Sequence, residues 1–244
     1  MKRNILKVIP LILLLGLGAA ASFVATVDHC EENHAYDRNN SNRNNSNRNN
    51  SNSDGKIHDE IICKKPAIYL YPTEDDSLIT VKLDIDGYYK TLDPVFNVKN
   101  GWQVIADTDG TIHYDGKDYE YLFWEGKLNM DYDFNEGFCV QGENTEEFLE
   151  ESLKTLGLNQ KEIDDFIEYW LPKMESNNYN VIYFDTNNYT NYAQMNISPR
   201  PATKIRVLMC WYGSDEPVEI SEQKLVTTER QGFTVVEWGG AEVK

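Results

Sequence analysis

Residues 144–174 read NTEEFLEESLKTLGLNQKEIDDFIEYWLPKM, and the period of this stretch decides the fold class. In its second half Ile163, Phe166, Ile167, Trp170, Leu171 and Met174 recur at i, i+3, i+4, i+7, i+8 and i+11. That spacing is one broad apolar stripe on an amphipathic helix. Gly157 is a stop signal for a first helix, and Asn159 followed by Glu162 is a start signal for the second. Asn144 with Glu147 repeats the same start pattern for the first. Pro172 removes the bond to the Glu168 carbonyl, so the last turn is expected to kink or stop. The stretch predicts a helical hairpin with one face laid on a sheet.

On both sides of the hairpin the period falls to two. KPAIYLYP (65–72) is a β-favouring run bracketed by prolines, which suits an edge or a first strand. SLITVKLDID (77–86) alternates, with Ile79, Val81, Leu83 and Ile85 on one face and Leu78, Thr80, Lys82 and Asp84 on the other. In WQVIADTDGTIHY (102–114) the Asp109-Gly110 pair predicts a type I′ hairpin, and a second turn follows at Asp115-Gly116. Strand character returns in NVIYF (180–184), YAQMNIS (192–198), KIRVLMCWY (204–212) and GFTVVEWGG (232–240). Strands, two helices, then strands predict an α+β fold: a mostly antiparallel sheet or sandwich with a two-helix insertion at about 145–174.

KPAIYLYP, GWQVIADTDGTI, YLFWEG, DFIEYWLPKM and GFTVVEWGG, in this order, resemble an uncharacterised family of exported bacterial proteins. The resemblance covers Cys63 to Glu242, and it brings no activity with it. The asparagine-rich stretch upstream departs from that family and is similar to low-complexity tracts of large DNA virus or amoebal proteins.

The chain begins with Lys2, Arg3 and Lys7, an uncharged stretch from Val8 to Val27, and small residues at Ala19 and Ala21. This is the three-part pattern of a secretory signal peptide spanning residues 1–21; the alternative is an uncleaved anchor reaching Val27. Either implies export: secreted or at the cell surface, or else membrane-anchored or on a virion. Residues 28–56, with NNSNR at Asn39 and again at Asn44, are too polar to bury a face and are expected to be a disordered spacer. Asn39, Asn44, Asn49, Asn188 and Asn196 fit the N-glycosylation pattern. Residues 57–244 form one domain holding 16 basic and 35 acidic residues, against a whole-chain charge of −17. A field of that sign repels phosphate backbones and anionic lipid, so no nucleic acid is expected, and no membrane contact except through the leader. Cys30, Cys63, Cys139 and Cys210 are an even set in an exported chain; at most one bridge is expected, its pairing open, with buried thiols as the rival.

Candidate chemistry is sparse. Past the spacer only His58 and His113 remain, no familiar zinc spacing occurs, and no phosphate-binding glycine loop follows a strand. Asp131 and Asp133 alternate like calcium ligands, but Glu136 stands where the EF-hand loop needs glycine. No metal and no cofactor are expected. Two carboxylates stand beside tryptophans at strand ends: Trp124-Glu125 and Glu237-Trp238. They define a glycan-hydrolase hypothesis, with Glu125 and Glu237 catalytic and Trp124 and Trp238 stacking on sugar. The competing expectation, which the weak constellation favours, is a binding or structural module for a glycan or protein. Tyr88, Tyr89, Tyr119, Tyr121 and Tyr212 are its candidate contacts.

Overall fold

The computed structural model describes residues 61–132 and 134–243; the leader, the spacer with Cys30, Asn39, Asn44 and Asn49, and Asp133 lie outside them. Eight strands come first: β1 (Ile61–Tyr71), β2 (Ser77–Ile85), β3 (Gly87–Asp93), β4 (Gly101–Ala106), β5 (Ile112–Tyr114), β6 (Lys117–Tyr119), β7 (Leu122–Leu128) and β8 (Glu136–Gln141). Helices α1 (Thr145–Thr155) and α2 (Gln160–Met174) follow. Then come β9 (Tyr179–Asp185), the short α3 (Tyr189–Tyr192), β10 (Ala193–Ser198), β11 (Thr203–Ser214), β12 (Ser221–Glu222) and β13 (Thr234–Glu242).

The strands form two sheets, of order β12-β8-β9-β11-β13-β1-β7-β3 and β10-β2-β4-β5-β6. Only β11 with β13 and β12 with β8 run parallel; every other pair is antiparallel. The fold is α+β, a sandwich of two mostly antiparallel sheets with a helical hairpin on its outer side. Strand alternation divides the core in two. Ile68, Leu70, Trp124, Leu208, Cys210 and Val235 face the smaller sheet, where Ile79, Val81, Leu83 and Trp102 meet them. Ala67, Tyr69, Val207, Met209, Val236 and Trp238 face the helices, where Leu149, Leu153, Ile163, Phe166 and Trp170 meet them. All five tryptophans are fully or almost fully buried, and burial of each such ring contributes on the order of 2–3 kcal/mol. Among the described residues no helix is long and apolar enough to cross a membrane.

KPAIYLYP belongs to the first strand, but that strand is interior, flanked by β13 and β7. Pro66 is tolerated there because the ladders on both sides shift register between Cys63 or Lys64 and Ala67, and Lys65 in that bulge has φ 57°. The bulge packs on the EWGG turn of phrase in β13. A Cβ on Gly239 would stand 3.1 Å from Pro66 Cα, and one on Gly240 2.5 Å from Trp170 Cζ2.

The hairpin signals exchange roles. At the first, Gly110 N donates to Asp107 O (3.0 Å) and Gly110 alone has positive φ, so it is not the expected type I′ turn. Asp75 holds Thr108 through its backbone N (2.9 Å) and hydroxyl (2.7 Å), which fixes the longer loop. Asp115 (φ 49°) and Gly116 (φ 70°) supply the two positive φ angles of type I′, between β5 and β6. In the helices, Asn144 precedes α1 without a side-chain cap, which corrects the first start signal. Asn159 and Glu162 form the full capping box of α2. Glu162 is fully buried and also accepts both Arg230 nitrogens at 3.0 Å, tying α2 to the segment before β13. Gly157 ends α1 with φ 98°, and α2 continues through Pro172 to Met174.

Candidate functional site

Glu125 and Glu237 lie on opposite faces of one sheet. In β7 Trp124 faces the smaller sheet, so Glu125 faces the helices, where its Oε1 accepts from Lys65 N at 3.4 Å. In β13 Trp238 faces the helices, so Glu237 faces the smaller sheet, and it is fully buried. A glycosidase pair must look into one cleft across about 5–9.5 Å, so the two glutamates are not an acid and base pair. The sheet itself separates them.

Glu237 is instead the centre of a closed network. Arg206 Nε donates to its Oε2 at 2.7 Å, Tyr189 OH to the same oxygen at 2.9 Å, and Trp124 Nε1 to its Oε1 at 3.0 Å. Arg206 Nη1 donates to Ala193 O at 2.5 Å, and its guanidinium lies 4.8 Å from the Tyr189 ring centre. Burial is the largest influence on Arg206 and opposes its charge, but Glu237 and Tyr189 together outweigh it and the net shift of its pKa is upward. Burial, then Glu237, pushes the Tyr189 hydroxyl well up, so it stays a donor. Trp124 and Trp238 are fully buried and cannot stack on a ligand, which corrects their assignment as sugar contacts.

The other candidates divide. Tyr88 is exposed, whereas Tyr89, Tyr119, Tyr121 and Tyr212 pack against the two cores. Cys63 and Cys210 are fully buried, and with Cys139 they carry free thiols; burial pushes both buried thiols up and keeps them protonated. No bridge joins the described cysteines, which lies within the at-most-one expectation and matches its rival of buried thiols at Cys63 and Cys210; Cys30 lies outside the described residues. Asn188 and Asn196 are both exposed, Asn188 ahead of α3 and Asn196 on the edge strand β10. His113 has both ring nitrogens occupied, by Asp118 at 2.7 Å and Asp107 at 2.8 Å, which suits a hairpin clamp better than a general base. Among the described residues no cluster of three metal-ligating side chains occurs.

The largest sheet has a notch that sequence reasoning did not find. β9 pairs with β11 only from Asp185↔Leu208 to Tyr179↔Ser214, so residues 203–207 of β11 lack a neighbour on that edge. A cavity of about 450 Å³ fills the vacated place. Lys204, Ile205, Arg206 and Val207 all line it, and since consecutive strand residues alternate faces, the cavity views the strand edge-on. Thr186, Asn187, Gln223, Lys224 and Thr228 close it around the rim. Lys204 also lines an adjoining hollow of about 410 Å³ that contains Arg200. Burial, then the nearby Arg206 charge, lowers the Lys204 pKa, as expected where cations crowd together. Glu136 is the one carboxylate lining the notch among the described residues, in a chain of net charge −17. The available sequence signal is KIR at the start of a buried strand, which puts two cations on one face of an otherwise apolar run.

The Butyrivibrio fibrisolvens protein described as "uncharacterized protein in bglA 3'region" is 47% identical over 74 residues, 30% of this chain and 74% of that protein. The chain matches no protein-family profile and no solved structure.

Proposed function

The chain belongs to the family of that Butyrivibrio protein, and from this premise we propose that it is an exported binding module that takes an anionic ligand in the notch beside β11. The observation that carries this is the gathering of Lys204 and Lys224, with Arg206 already paired to Glu237, around one cavity whose lining holds one carboxylate, Glu136, among the described residues. In a domain of net negative charge such a local reversal of field attracts anions to one place and repels them elsewhere. Glu237 anchors Arg206 from behind, so part of the cationic lining is held rigid before any ligand arrives. The leader of residues 1–21 supports export. Binding is preferred to glycan hydrolysis because the two candidate carboxylates share no cleft.

The test is titration of the purified full chain with pentaglutamate, oligogalacturonate and inorganic phosphate at low ionic strength. At least one anion binds, binding weakens with added salt, and Lys204→Gln combined with Lys224→Gln weakens it about tenfold, since each exposed charge contributes up to about 1 kcal/mol. Absence of binding by all three, or binding indifferent to the two substitutions, contradicts the proposal.

A further inference from the structure

We infer that the notch receives an extended acidic peptide, which pairs as an added strand with the free edge of β11 at Lys204 and Arg206; this rests on the notch being the binding site. The hydrogen-bonding parity of β11 leads there. Thr203 N donates to Phe233 O at 3.1 Å, and Trp211 O accepts from Val243 N at 2.8 Å. In a ladder, alternate residues turn both backbone groups to the same neighbour, so the odd residues of β11 bond to β13 and the even ones turn toward β9. Leu208 meets Asp185, the last residue of β9. Lys204 and Arg206 therefore present their N–H and C=O groups to the cavity without a strand to receive them.

The fold keeps that place vacant. Asp185 accepts from Asn187 N (3.0 Å) and Tyr189 N (3.1 Å), which turns the chain into α3 and stops β9 from continuing along β11. Past the end of the β8 pairing, the Gln223 side chain completes Phe184 of β9, accepting from its N at 3.0 Å and donating to its O at 2.8 Å. A side chain thus satisfies that edge of β9, while the edge of β11 beyond it stays open. Lys204 and Arg206 are two residues apart, about 6.6 Å along a strand, the repeat at which a peptide offers its own alternate N–H and C=O groups. Phosphate or a uronic-acid chain can satisfy the cations but not this main-chain repeat. The mode is β-strand addition, with charge selecting an acidic sequence.

The experiment compares pentaglutamate with its fully N-methylated analogue, which keeps every carboxylate and removes every amide donor, by calorimetric titration of the full chain. Pentaglutamate binds, and the methylated analogue binds about tenfold or more weakly, the loss expected from two main-chain hydrogen bonds. Equal binding of the two peptides overturns strand pairing and leaves the anion site standing. Binding of oligogalacturonate or phosphate without pentaglutamate also overturns it, in favour of a saccharide or a free anion. Failure of every probe removes both the inference and the function it rests on.

Discussion

Arg206 Nε lies 2.7 Å from Glu237 Oε2, with both side chains almost wholly buried between the two sheets. Removing one member of such a pair leaves an uncompensated charge in the interior. Glu237→Gln is expected to cost about 3–5 kcal/mol of stability, read as a lower urea midpoint. Glu125→Gln, whose carboxylate accepts a long 3.4 Å backbone bond from Lys65 N, is expected to cost less than about 1.5 kcal/mol. Equal effects at the two positions would contradict the opposite-face arrangement.

Gly240 stands against the Trp170 ring, where an added Cβ would come within 2.5 Å of Cζ2. Trp170 is fully buried on α2 and has no room to retreat. Gly240→Ala is therefore expected to destabilise by about 1–3 kcal/mol. A thermal melt unchanged from the parent would show that α2 does not dock over β13 as described.

His113 is held by Asp107 and Asp118, and these hydrogen bonds raise its pKa. The backbone N–H of Asp76, then His113, lowers that of Asp107. The raised histidine contributes stability that is complete below its unfolded pKa of about 6.5 and is lost as pH rises through the folded value. The lowered aspartate contributes above its unfolded pKa and loses that contribution as pH falls through its folded one. A proton NMR titration should place the His113 midpoint above the unfolded value and move it down in Asp118→Asn. A midpoint at or below the unfolded value contradicts the clamp.

The helical hairpin was legible because Ile163, Phe166, Trp170 and Met174 obey a local period that tertiary structure had no reason to override. The interior position of β1 was not. Pro66 argued for an edge, and only the bulge that sets it outside both ladders removes the objection. Similar local logic put the type I′ turn at Asp109-Gly110, where the long-range bonds from Asp75 to Thr108 decide otherwise. Glu125 and Glu237 each adjoin a tryptophan, which locally suggests a pair; the parity of two strands separated by β1 sets them apart. The notch left almost no local trace. It arises where β9 stops and β11 does not, which depends on register between strands and not on any single stretch.

Amide hydrogen exchange across β11, with and without pentaglutamate, tests the binding site most directly. Lys204 and Arg206, whose amides face the notch, should gain protection of about tenfold or more, while Ile205 and Val207, already bonded to β13, should not change. Bound peptide with no added protection at Lys204 and Arg206, or with protection spread evenly over all four, would contradict it.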